Sequence, residues 1–112
     1  MSLVYKILPR AEWQAALAAG RFEGSAIDLQ DGYIHLSTGA QAQETAGKHF
    51  KGQDGLVMVS LRADQLALTW EPSRGGALFP HLYGVLDPAL ALDVRPLPLD
   101  ADGVPQLGEL DA

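Results

Sequence analysis

Alternation of apolar and polar positions divides the chain into short elements. Leu3-Val-Tyr-Lys-Ile-Leu8 reads as a first strand, with Tyr5 and Lys6 on opposite faces. Pro9 suits the first position of a helix, where its missing N–H costs nothing. That helix carries Trp13, Ala16 and Leu17 on one face and stops at Gly20. From Arg21 to Gly32 the period is lost, and Gly24-Ser25 and Asp31-Gly32 are turn signals, so this stretch reads as a loop. It leads into a second strand, Tyr33–Ser37. Thr38-Gly-Ala-Gln41 matches a capping box, opening a helix that reaches about Phe50 before Gly52.

The second half reads mostly as strands. Leu56-Val-Met-Val-Ser-Leu61 is a continuous apolar run, the pattern of a central strand covered on both faces. A turn at Asp64-Gln-Leu66 precedes a strand at Leu68–Glu71, and no regular element is expected between Pro72 and Gly76. Leu78–Leu86 and Leu90–Pro96 follow as strands, separated by a turn at Asp87-Pro88; Pro96 and Pro98 interrupt any further ladder. Helices early and strands late predict an α+β fold with a mainly antiparallel or mixed sheet and two N-terminal helices. Residues 1–97 form one expected domain, and 98–112 an acidic tail without periodic apolar positions, expected to be loosely held.

Composition narrows the function classes. The chain has 112 residues, 47% of them hydrophobic, and no cysteine, which excludes disulfides and thiolate metal sites and suits a reducing compartment. No apolar run approaches the roughly 20 residues needed to span a bilayer, and no basic-apolar leader opens the chain, so a soluble cytoplasmic protein with no membrane partner is expected. Of the net charge of −6, four acids (Asp100, Asp102, Glu109, Asp111) lie after residue 96, leaving 10 acidic and 8 basic residues before it. With no Lys/Arg cluster, duplex nucleic acid is not an expected partner, while a small charged ligand is compatible. The oligomeric state is left open.

Two stretches carry the candidate chemistry, Asp31-Gly-Tyr-Ile-His-Leu-Ser-Thr38 and Trp70-Glu-Pro-Ser-Arg-Gly-Gly-Ala-Leu-Phe-Pro-His-Leu-Tyr-Gly84. Strand alternation sends Ile34 and Leu36 one way and Tyr33, His35 and Ser37 the other; it also puts Phe79, His81 and Tyr83 on one face, opposite Leu82. A face of imidazole, hydroxyl and phenol groups is the expected wall of a pocket, with His35, Ser37, His81 and Tyr83 lining one concavity. Imidazoles take up or give up a proton near neutral pH and so serve as acid, base or hydrogen-bond donor. The competing reading makes His35 a buried structural histidine and Tyr83 an aromatic cap at the sheet edge. Glu71 and Arg74 are either an ordinary surface pair or pocket groups. In a pocket, Arg74 beside Gly75-Gly76 would hold a phosphate or carboxylate, and Glu71 would orient a ribose hydroxyl or act as base.

Several familiar signals are absent. Ser73-Arg-Gly-Gly is neither a phosphate-binding loop nor a dinucleotide fingerprint, and Ser37 lacks a nucleophile elbow. His35, His49 and His81 have no short metal-ligand spacing. A zinc site would have to join two histidines with Asp28 or Glu71 in space, so no metal ligand is assigned.

Together with Tyr5-Lys6-Ile7, Trp13, Gly20-x-Phe22-x-Gly24-Ser25, Asp28, Gln41 and His49-Phe50, these blocks resemble the bacterial family called domain of unknown function 952 over roughly residues 3–95. The resemblance implies a fold related to the ADP-ribosyltransferase superfamily, a split, mainly antiparallel sheet gripping a nicotinamide dinucleotide. It includes RNA 2′-phosphotransferases with a similar His-Leu-Ser strand. On that pattern Lys6 falls where the first-strand Arg or His would lie, and His35-Leu-Ser37 where the second-strand Ser/Thr motif lies. Glu71 is then the loose counterpart of the catalytic acid, although Pro72 follows it.

The leading expectation is a pocket that binds or processes NAD, ADP-ribose or a related phosphorylated nucleotide, with NAD as substrate rather than bound cofactor. His35, Ser37, His81 and Glu71 are the expected catalytic groups, and Lys6, Tyr33, Thr38, Arg74 and Tyr83 the ligand-binding ones. The alternatives are a non-catalytic binding module using the same face, and a histidine-metal hydrolase.

Overall fold

The two most apolar runs of the chain pair with each other. In the computed structural model, which describes residues 2–73, 76–108 and 110, strand β1 (Leu3–Pro9) lies antiparallel to the later run at Leu56–Arg62, in register from Leu3 opposite Arg62 to Pro9 opposite Leu56. Between them come helices α1 (Arg10–Ala19) and α2 (Ala26–Asp31), strands β2 (Ile34–His35) and β3 (Ser37–Thr38), and helix α3 (Gly39–His49). The Leu56–Arg62 run is β4, followed by β5 (Leu68–Ser73), β6 (Ala77–Leu82) and β7 (Asp93–Pro96). The result is an α+β fold with wholly antiparallel pairing among these strands. None of the described helices is long and apolar enough to cross a membrane.

The strands form two sheets, ordered β3-β1-β4-β7 and β2-β6-β5. β1 and β4 are interior in the larger sheet, which explains why the β4 sequence does not alternate: both of its faces are buried. Val57, Val59 and Leu61 join Val4, Leu8, Trp13 and Phe22 on one side, while Met58 packs with Tyr5, Ile7, Ala42 and Ala46 under α3 on the other.

The segment read as one strand, Tyr33–Ser37, is shared between the sheets. Ile34 and His35 pair with Leu82 and His81 of β6, whereas Ser37 and Thr38 pair with Tyr5 and Val4 of β1. Leu36 is the buried pivot. Pro80 permits this crossing. Its carbonyl accepts from the Leu36 N–H, and in an antiparallel strand a residue's N–H and C=O point the same way, so its missing donor faces the place where β2 ends.

Further expectations need correction: the strands expected at Leu78–Leu86 and Leu90–Pro96 are the shorter β6 and β7. The stretch from Arg21 to Gly32 is not a featureless loop but contains α2, a third early helix with Ser25 and Asp28 as its capping box. A helix of six residues is too short to display a period. Strand β5 continues through Pro72 to Ser73, opposite Leu78 and Ala77; β5 is the sheet edge, where a missing N–H is tolerated. Finally, the segment after Pro98, expected to be loosely held, is docked as far as it is described. Leu107 is 2% exposed within the cluster under α3. Gln43 bonds the Pro105 carbonyl and the Leu107 N–H, and Arg95 donates to the Leu107 carbonyl.

Candidate functional site

The crossover at Leu36 sets His35 and Ser37 along a cleft of about 600 Å³. Lys6, Glu12, Asp31, Tyr33, Thr45, His49, Phe79 and His81 also line it. Because His35 lies directly opposite His81 in the β2–β6 pairing, the two imidazoles meet in register, with ring centroids 5.6 Å apart. Tyr33 packs against both, stacked on His81 at 4.1 Å and tilted against His35 at 4.6 Å.

Asp28 organises the first half of the site. It is 1% exposed, and its carboxylate accepts from four groups. Lys6 Nζ lies 2.8 Å from Oδ2 and 3.0 Å from Oδ1; the Ser25 N–H donates at 2.9 Å, the His35 N–H at 3.1 Å, and His35 Nδ1 at 2.6 Å. Burial by itself pushes the Asp28 carboxyl up, but the His35 hydrogen bond, the Lys6 charge and hydrogen bond and the Ser25 N–H outweigh it and bring the pKa down to about 2. Burial lowers the Lys6 ammonium from its ordinary value despite the opposing pull of Asp28 and Glu12. The other nitrogen of His35, Nε2, lies 3.0 Å from Asp31 Oδ2. Carboxylates only accept, so both contacts are hydrogen bonds only when the imidazole carries a proton on each nitrogen.

The second half is built on β5 and β6. His81 Nδ1 lies 2.8 Å from Glu71 Oε1, and the Tyr83 hydroxyl donates to the same oxygen at 2.7 Å. The hydrogen bonds from Tyr83 and His81 hold the Glu71 carboxyl below its ordinary value. The same bond to Glu71, with burial and the Glu71 charge, pushes the Tyr83 phenol up to about 12. Burial, then the charges of Asp31 and Glu71, raises Tyr33. His81 is buried and lines the cleft, and its Nε2 makes no hydrogen bond to the described residues.

The expected site residues are therefore placed unevenly. His35, Ser37, His81, Tyr33 and Lys6 line the cleft, as does the buried pivot Leu36, while Ile34 and Leu82 lie in the core behind them. Glu71 and Tyr83 are outside the lining and reach it through His81 and Tyr33, whose ring lies 5.2 Å from that of Tyr83. That corrects the expectation that Tyr83 lines the concavity, and three further placements depart from expectation. Lys6 is 4% exposed with its ammonium committed to Asp28, because a buried cation needs a counter-charge. Thr38 is outside the lining and, with Gln41, caps α3. Ser37 shares its hydroxyl with Thr45 at 2.9 Å. Arg74 lies outside the described residues.

Asp31 is a group that reading single residues passed over, and Asp28 was weighed only as a metal donor and as part of the family pattern, not as the partner of Lys6 and His35. Their signal was the Ser25-x-x-Asp28 capping spacing, which places both acids on one short helix facing His35. Among the described residues no three His, Asp or Glu side chains are grouped to hold a metal ion, so the two-histidine zinc arrangement has no such cluster to rest on.

No curated protein sequence matches the chain. Among solved structures it is similar to protein CC0527 from Caulobacter crescentus. The crystal structure of that protein is 62% identical, with a TM-score of 0.92 and 95% of each chain covered. A crystal structure of its methionine-substituted double mutant is 61% identical, with the same TM-score of 0.92 and the same 95% coverage of each. Its solution NMR structure is 62% identical, with a TM-score of 0.85, covering 95% of this chain and 93% of that one. Residues 7–94 match the family model described as protein of unknown function DUF952, and the chain belongs to that family.

Proposed function

We propose that the cleft binds NAD or ADP-ribose, in the manner of an ADP-ribosyltransferase-like fold, and that His81 is its acid–base group. The observation that carries this reading is the pair of carboxylate-bound imidazoles set side by side on one wall of the cleft, ring centroids 5.6 Å apart. Of the two, His81 has the geometry of a working base. Glu71 holds its Nδ1, fixing ring and tautomer, and leaves Nε2 without a hydrogen bond to the described residues. Tyr83 in turn holds Glu71. The split antiparallel sheet around the cleft is in keeping with that fold type.

In this reading His81 Nε2 takes the proton of an acceptor hydroxyl or water. The freed oxygen bonds to the ribose anomeric carbon, and the nicotinamide nitrogen leaves with the electron pair of the broken glycosidic bond. Carboxylates stabilise the positive charge that develops on the sugar, and Glu71 is the nearest to His81. Ser37 and Thr45 offer hydroxyls at the floor of the cleft.

A non-catalytic binding module is the second reading, favoured by one observation: Ser37 and both histidines already have intramolecular partners. Calorimetric titration with NAD and ADP-ribose, together with nicotinamide release, separates the two. One charge-assisted hydrogen bond is worth about 1.5–3 kcal/mol, so His35→Ala and His81→Ala should each weaken binding roughly ten- to hundredfold while folding normally. Binding without nicotinamide release selects the module. If the wild type binds neither compound at millimolar concentration, the transferase reading fails.

A further inference from the structure

The contact between Asp31 and His35 has the form of an occupied ligand position. Asp31 is the last residue of α2, followed by Gly32 at φ 87°, and its side chain is about one-third exposed at the cleft wall. A carboxylate at a helix C-terminus faces the negative end of the peptide dipoles, so nothing in α2 itself favours it there. Its one hydrogen bond among the described residues is to His35 Nε2, at 3.0 Å.

The charges behind it explain the attraction. When His35 carries both protons, the chain His35–Asp28–Lys6 has one net positive charge, and the Asp31 carboxylate at its open end neutralises it. Glu12, the other acid of the cleft wall, accepts a hydrogen bond from the Ser25 hydroxyl at 2.7 Å and lies on the Lys6 side. Asp28 cannot leave, since it is buried and bonded four ways. Asp31 can, because Gly32 follows it and solvent reaches it.

We propose that His35 Nε2 is an anion-binding site for a phosphate or diphosphate group of the ligand, and that Asp31 is a built-in stand-in which that group displaces. The inference rests on the reading of the cleft as a ligand site and assigns to one atom the part of the ligand it holds. It also divides the labour of the two histidines: His35 is the anchor, donating from Nε2, and His81 is the base.

Inorganic pyrophosphate is the probe, titrated at constant ionic strength into the full chain labelled with ¹⁵N at its histidines. Removing the stand-in by Asp31→Ala should lower the pyrophosphate Kd at least tenfold, with the largest shift at His35 Nε2; Asp31→Asn, which keeps the shape but not the charge, should follow in the same direction. Adding His35→Gln to Asp31→Ala should abolish the gain. The proposal is overturned if both Asp31 variants bind pyrophosphate no more tightly than the wild type, or if the gain survives His35→Gln. Matched far-ultraviolet spectra and melting curves establish that the variants compared are folded. A protein that binds neither NAD nor ADP-ribose, yet gains pyrophosphate affinity on losing Asp31, would end the transferase reading and leave the anion site standing.

Discussion

Asp28→Asn removes the charge at the centre of the site while nearly conserving shape, and its cost follows from the surroundings of that carboxylate. In the folded protein the Asp28 pKa falls from an ordinary 3.8 to about 2. At 1.36 kcal/mol per unit, the folded surroundings favour the ionised over the neutral form by about 2 kcal/mol more than water does. Asparagine keeps one acceptor oxygen but leaves the Lys6 ammonium, 4% exposed, without its counter-charge. Breaking a buried pair from one side costs about 3–5 kcal/mol. A loss of about 3 kcal/mol in urea unfolding at neutral pH is therefore expected, a large part of the 5–15 kcal/mol typical of a domain.

The pH dependence has a definite sign. A depressed folded-state pKa means that the unfolded chain takes up the proton first. The Asp28 contribution is thus complete above about pH 4 and lost as pH falls toward about 2, and the variant should lack that part of the acid transition. Joining Lys6→Met to Asp28→Asn should recover at least half of the loss, because it removes the buried ammonium that the single variant leaves without a counter-charge. A loss below about 1 kcal/mol with parallel acid profiles would refute the assignment of Asp28 as the hub.

Gly24→Ala should destabilise the fold by about 2 kcal/mol or more, measured by denaturant melts, since the residue sits at φ 127° and a new Cβ would lie 2.8 Å from the Asp28 Cβ; an unchanged midpoint would contradict the placement of α2. Leu107→Ala should cost about 2 kcal/mol and lower the melting temperature by several degrees, because that side chain is 2% exposed in the cluster under α3. A melting temperature equal to that of the wild type would mean the docked segment contributes nothing. Glu71→Gln should return the Tyr83 phenol from about 12 toward an ordinary tyrosine value near 10, followed by ultraviolet titration of phenolate; an unmoved titration would show that Glu71 is not its partner.

Much of the site was legible because strands expose their side chains by a fixed local rule. Alternation placed Ile34, Leu36 and Leu82 in the core and His35, Ser37 and His81 on the cleft side. The capping box at Thr38 and Gln41 and the apolar run of β4 were equally local signals. The third helix was not seen because six residues make less than two turns, although the Ser25–Asp28 spacing marked it.

By itself, the sequence determined helices α1 and α3, strands β1 and β4, and the polar faces that carry His35, Ser37 and His81. Tertiary structure alone decided the partners. Two sheets divide one five-residue stretch at Leu36; Lys6 meets Asp28 across 22 positions, and His81 meets Glu71 across ten. It also decided that Leu107 packs under α3 rather than trailing free. The physical reason is range. Periodicity and capping are set by neighbours within a turn or a pleat, whereas a hydrogen bond between distant residues depends on how whole sheets and helices pack, which no local pattern encodes.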